Sequence, residues 1–162
     1  MNMSGIIRHK GRWLIQEWEN AQAPPAEPED LLRAYSEGRG RMINNIITNT
    51  GLVEMAKRNA GVSSSSNNKM LLGSSNTPTP LATQTALTSQ TGSVNLTSRT
   101  IEGTTERYLA NATTASVSNN NLGELGLAAN SILISRVVVN PKILFTVSRT
   151  YTLMALITHQ AG

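Results

Sequence analysis

The side chains that carry acid–base chemistry are sparse in this sequence and lie far apart. There are two histidines, His9 in a basic start and His159 close to the C-terminus. Both positions read as surface sites rather than as a general base held in a cleft. After Glu54 the only carboxylates are Glu102, Glu106 and Glu124. Glu102 and Glu106 have a spacing that would suit an acid–base pair, but Gly103 marks a hairpin turn where both would be solvated. The chain has no cysteine, which removes disulfides and thiolate metal sites. It has no Gly-x-Ser-x-Gly, no P-loop, no His-Glu-x-x-His and no EF-hand spacing. Gly38-Arg39-Gly40 shares only its glycines with a phosphate loop. The Ser63–Ser66 and Asn119–Asn121 tracts offer oxygens without the clustered carboxylates that a hard cation requires. The expectation is a non-enzymatic protein with no catalytic residue, metal site or cofactor.

One carboxylate has different surroundings. Glu124 stands between Gly123 and Leu125 in the apolar run Asn121–Ala128. Buried there, it needs a backbone or arginine partner. Arg136 and Arg149 are the two candidates, and either would pin a turn against a sheet. Arg149 interrupts an otherwise apolar strand face, which marks it as such a partner or as an interface residue.

The elements that must position these groups read mostly as strands from Lys69 onward. Met70–Gly73 is a short apolar strand, Asn76–Pro80 a rigid polar turn, and Leu81–Leu87 a single helical turn. Val94–Thr100 and Arg107–Val117 alternate weakly. Ile132–Val139 and Leu144–Ile157 are the strongest strands, separated by a turn at Asn140-Pro141. Upstream, Met42, Ile43, Ile46, Ile47, Leu52, Val53, Met55 and Ala56 recur near helical spacing, so residues 41–60 read as a helix stopped by Gly61. The β-branched residues and Gly51 weaken that helix, and a break at Asn49-Thr50-Gly51 leaves Leu52–Asn59 as its second piece.

Residues 1–40 differ in composition. They hold both tryptophans, most of the acidic charge and the prolines Pro24, Pro25 and Pro28, with Glu29–Tyr35 as a short helix. Gly11–Glu19 alternates as a strand. Either it pairs with the domain's own sheet, or it is an arm that docks on a neighbouring subunit through Trp13, Trp18 and Tyr35. The resulting expectation is a mainly β chain: an antiparallel β-sandwich, jelly-roll-like, with one helix and an extended N-terminal arm. The arm spans 1–40, and the β-sandwich domain with its leading helix spans 41–162.

Composition narrows the function classes. Ser, Thr and Asn supply 50 of the 162 residues, which suits short strands and polar turns better than a helical core. The net charge is +4 and scattered, with Arg8, Lys10 and Arg12 as the main basic cluster. That argues against nucleic acid as a partner. No apolar run approaches the about 20 residues of a membrane helix, and Met1–Lys10 lacks the pattern of a secretory leader. A carbohydrate- or receptor-binding module would need exposed loop aromatics, for which Tyr108 is the one candidate.

Seven short pieces stand in a telling order: Asn49-Thr-Gly-Leu52, Leu72-Gly73, Pro78–Pro80, Thr85-Ala-Leu87, Glu124-Leu-Gly-Leu127, Leu133-Ile-Ser-Arg-Val-Val138 and Phe145–Leu156. In this order they resemble a recurring type of tailed-bacteriophage virion protein, over about residues 40–158. The resemblance implies a structural component assembled in the host cytoplasm into the virion. Similar proteins sit in the tail, baseplate, fibre attachment or head surface, the last as a decoration or cement protein. It implies homo-oligomers of trimeric or hexamer-related symmetry, with other virion proteins as partners and no membrane.

Overall fold

A computed structural model describes residues 7–20 and 22–161. Nine strands form one curled antiparallel sheet: β1 (Ile7–Glu19), β2 (Arg41–Ile47), β3 (Lys69–Gly73), β4 (Gln90–Asn95), β5 (Ser98–Glu102), β6 (Thr105–Ala112), β7 (Asn121–Ala129), β8 (Ile132–Leu144) and β9 (Arg149–Ala161). Two helices accompany them, α1 (Pro28–Ser36) and α2 (Asn49–Asn59). The spatial order is β4-β3-β7-β8-β2-β1-β9-β6-β5. The curl brings β4 back toward the end of β6, where Gly92 bridges Val117. A side chain at Gly92 would collide with the Ser116 carbonyl, so this approach requires glycine.

The N-terminal segment is a central strand and not an arm, which corrects the division at residue 40. β1 pairs with β9 along its whole length, from Ile7 opposite Ala161 to Glu19 opposite Arg149. Its other side pairs with β2 from Gly11 to Ile15. The cause is burial of both tryptophans. Trp13 and Ile15 enter the main core inside the curl, beside Tyr108, Ala155 and Ile157, and Trp13 is 0% exposed. Leu14 and Trp18 enter a second cluster, with Leu109, Met154, Leu156 and Leu31 of α1. The Trp18 indole N–H donates to Thr152 Oγ1 at 2.9 Å. Two large rings on opposite faces of one strand are hidden only by placing that strand in the interior of a two-sided sheet. Of the three expected anchors only Tyr35 reaches the surface, at 38% exposed.

Two further expectations are corrected. Residues 41–60 are not one helix: β2 comes first, because Ile43, Ile46 and Ile47 suit a pleated, half-buried strand. α2 begins only after Thr48, whose hydroxyl accepts the Gly51 N–H at 3.0 Å as an N-cap. α1 falls where the short helix Glu29–Tyr35 was expected, so the described residues hold two helices against the one of the expected fold.

Nor does the chain turn at Asn140-Pro141. β8 runs through that cis peptide, where its register with β7 is interrupted between Leu122 and Glu124. An interrupted ladder tolerates a residue with no N–H to donate. The reversal falls at residues 145–148. Phe145 stacks there on Tyr151, with ring centroids 4.0 Å apart, and the Tyr151 hydroxyl donates to the Leu144 carbonyl at 3.0 Å.

Removing residues 1–20 therefore withdraws a central strand. The expected outcome is loss of the cooperative thermal transition followed by circular dichroism. Trp13→Ala in the full chain should cost about 3–5 kcal/mol in urea denaturation. A truncated chain that still melts cooperatively would refute the central placement.

Candidate functional site

Two polar centres interrupt this apolar architecture, and the first is an ion pair between neighbouring strands. In β7, Leu125 and Leu127 point into the main core, so Glu124 and Gly126 point to the opposite face of the sheet. Arg136 of β8 lies opposite Gly126 in the ladder. A side chain at Gly126 would meet Leu133 and Leu87. Glu124 and Arg136 are each 0% exposed. The segment from Ser74 to Ser89 covers them and supplies their remaining partners.

The bonding is nearly complete. Glu124 Oε2 accepts from Arg136 Nε at 2.9 Å and Nη2 at 2.7 Å, and from the Thr88 N–H at 3.0 Å. Its Oε1 accepts the Ser89 N–H at 2.6 Å. Arg136 Nη1 donates to the Pro78 carbonyl and to Gln84 Oε1, both at 3.0 Å, while Nη2 also donates to Thr88 Oγ1 at 3.2 Å. Gly73 of β3 completes the cradle, because a side chain there would strike the Glu124 side chain. A buried pair of this kind stabilises little beyond a hydrophobic substitute, but a half-broken one leaves an uncompensated charge. It acts as a clamp that fixes one path for a loop with little apolar content.

Of the two arginines that the sequence offered to Glu124, the structure uses Arg136. Arg149 instead pairs at the surface with Glu17 at 2.6 Å and, more loosely, with Glu19 at 3.9 Å. The segment Leu81–Leu87 forms turns rather than helix, with the Leu81 N–H donating to Gln84 Oε1 at 2.8 Å.

The second centre lies at one mouth of the curl. His9 of β1 sits opposite His159 of β9, and their Nδ1 atoms are 2.9 Å apart, sharing a hydrogen bond. His159 Nε2 contacts Glu106 Oε1 of β6 at 2.9 Å. The Tyr108 hydroxyl donates to Glu106, and Arg99 of β5 approaches the same carboxylate at 3.4 Å while lying over the Tyr108 ring. Burial, aided by the neighbouring His159, pushes the His9 imidazole below its ordinary value of 6.5. At the C-terminal end of α2, Glu54 accepts from Ser63 and Ser65, and these hydrogen bonds hold its carboxyl below the usual range.

The sequence pattern did not reveal this cluster. His9 and His159 are 150 residues apart and meet only through the β1–β9 register. Glu102 and Glu106 do not converge: Glu102 pairs with Arg107, which also binds Glu29. The β5–β6 hairpin expected at Gly103 is present, with Gly103 at φ +57°. Tyr108, the expected loop aromatic, is 0% exposed and belongs to the core. Among the described residues no group of three His, Asp or Glu is placed to hold a metal ion.

No protein-family model matches the chain, and no curated protein or solved structure is significantly similar to it.

Two outcomes follow from these centres. Arg136→Ala should destabilise the protein by about 3–5 kcal/mol in urea denaturation and open the 76–88 loop to limited proteolysis. For His9, the unfolded chain takes up a proton near pH 6.5 that the folded chain resists, so stability should fall as pH drops through that value. The pH dependence of the melting temperature should be shallower between about pH 7 and pH 5 in His9→Asn.

Proposed function

We propose that this protein is a non-enzymatic structural component of a tailed-bacteriophage virion. In this reading it is a β-sandwich of jelly-roll type that forms symmetric oligomers in the tail, neck or baseplate. One observation supports the proposal: five of the seven short sequence pieces that resemble virion proteins, scattered over the chain, lie at or beside one physical device. Leu72-Gly73 makes room for Glu124, and Pro78 and the residues around Thr85–Leu87 meet Arg136, Glu124 and Gly126. Asn49–Leu52 joins the same strand pair from its other end, where Gly51 packs on the Ile134 backbone and Thr50 donates to the Leu133 carbonyl.

The sandwich reading draws support from the curl. The main core gathers side chains of β3, β7 and β8 on one side and of β1, β6 and β9 on the other. A rigid sheet with a pinned loop and polar surface suits a part that holds shape within an assembly. Because Trp13 and Trp18 are buried within the protein, they do not serve as the subunit anchors of an arm.

Immunogold labelling of intact particles of the phage that encodes the protein tests the proposal. Label confined to the tail, neck or baseplate is the expected result. Label over the head would instead assign it as a decoration or cement protein. No label on intact or opened particles would overturn the virion reading and favour a binding module.

A further inference from the structure

The first four residues of β1 are paired on one side only. β2 accompanies β1 from Ile15 to Gly11 and then departs, so that Ile46 and Ile47 pair with β8 alone. The wedge is Asn45: its side chain occupies the place where a Gly11 Cβ would stand, at 1.8 Å. Beyond it a cleft of about 590 Å³ opens, lined by His9, Lys10, Gly11, Arg12, Asn44, Asn45, Thr158 and Gln160. Alternation puts Lys10 and Arg12 on one face of the sheet and His9 and Gly11 on the other. The cleft runs across β1 from Asn44 of β2 to Thr158 and Gln160 of β9, beside the edge of Ile7–Lys10 that no described strand pairs.

Charge gives this gap a preference. Arg8, Lys10 and Arg12 recur at every second residue, and so share a face beside Gln160, Thr158 and Asn44. Among the described residues none of the three has a carboxylate within ion-pair distance, although most other arginines do. On the free segment Arg8 and Lys10 match a strand whose acidic residues also fall at alternate positions, each opposite a cation. Arg12, opposite Asn44 of β2, adds positive charge at the inner end.

We propose that this gap is a docking slot for an extended acidic peptide segment of another assembly component, added as a strand to the free edge of β1 at Ile7–Lys10. The inference deepens the assembly reading and rests on it for the origin of the segment. A peptide fits better than nucleic acid for two reasons. The β1 edge presents carbonyls that need donors, and a phosphodiester backbone has none. The neighbouring rings, Trp13 and Trp18, are buried and offer no stacking platform.

The test uses the full chain and a fluorescent peptide of alternating threonine and glutamate, followed by polarisation. The expected result is saturable binding that weakens about tenfold or more in Arg8→Glu/Lys10→Glu. A milder pair, Arg8→Gln/Lys10→Gln, should weaken it in the same direction. The same peptide N-methylated at alternate residues keeps its charge but loses main-chain donors, and should bind at least about tenfold more weakly. Hydrogen exchange should show new protection confined to the β1 edge. No saturable binding, unchanged binding in both variants, or equal binding of the methylated peptide would overturn the proposal. So would tighter binding of oligothymidine than of the peptide. The assay reads the isolated protein and labelling reads the particle, so either reading can fail alone.

Discussion

The thirteen-residue ladder between β1 and β9 is the constraint on which the rest of the molecule depends. It joins the first described strand to the last, so the sheet is complete only when these two strands have met. Each face of β1 carries one tryptophan into a different apolar cluster, which ties the inside of the curl to the layer under α1. Such pairing is long-range in sequence and brings a large loop-closure cost before its contacts form. The apolar area of two indoles is well suited to offset it.

Polar groups then specify what apolar burial leaves open. Inside the curl, Leu and Val side chains are interchangeable enough to permit small slips. Over β7 and β8 the Glu124–Arg136 pair permits one arrangement, because each of its hydrogen bonds is directed to a different point of the 74–89 segment. At the mouth, the His9–His159–Glu106 chain links three strands edge to edge, and burial of His9 resists its protonation. One centre therefore fixes a loop, and the other links strands.

Much of the β architecture was legible from local pattern. β3, the Ile132–Val139 part of β8, the β5–β6 hairpin at Gly103 and the need of Glu124 for an arginine can be read from alternation, turn residues and the cost of burying a charge. Glu124 itself was expected in a turn and lies within β7. What failed did so where tertiary context decides. Ile43, Ile46 and Ile47 have helical spacing as well as strand propensity, and only pairing with β1 and β8 selects the strand. Pro141 reads as a turn unless the ladder around it is known to be interrupted. The tryptophans of β1 looked too large for an isolated segment to hide, and that segment proved not to be isolated. The histidine pair depends on a register between residues 150 apart, for which no local signal exists.

The pairing of Ile7 with Ala161 has a topological consequence. Chain entry and chain exit lie on adjacent strands at one corner of the sheet, within a few ångströms of each other. The path from Ile7 to Ala161 is therefore almost a closed circuit, and loosening either of these two strands strips the same corner of its partner.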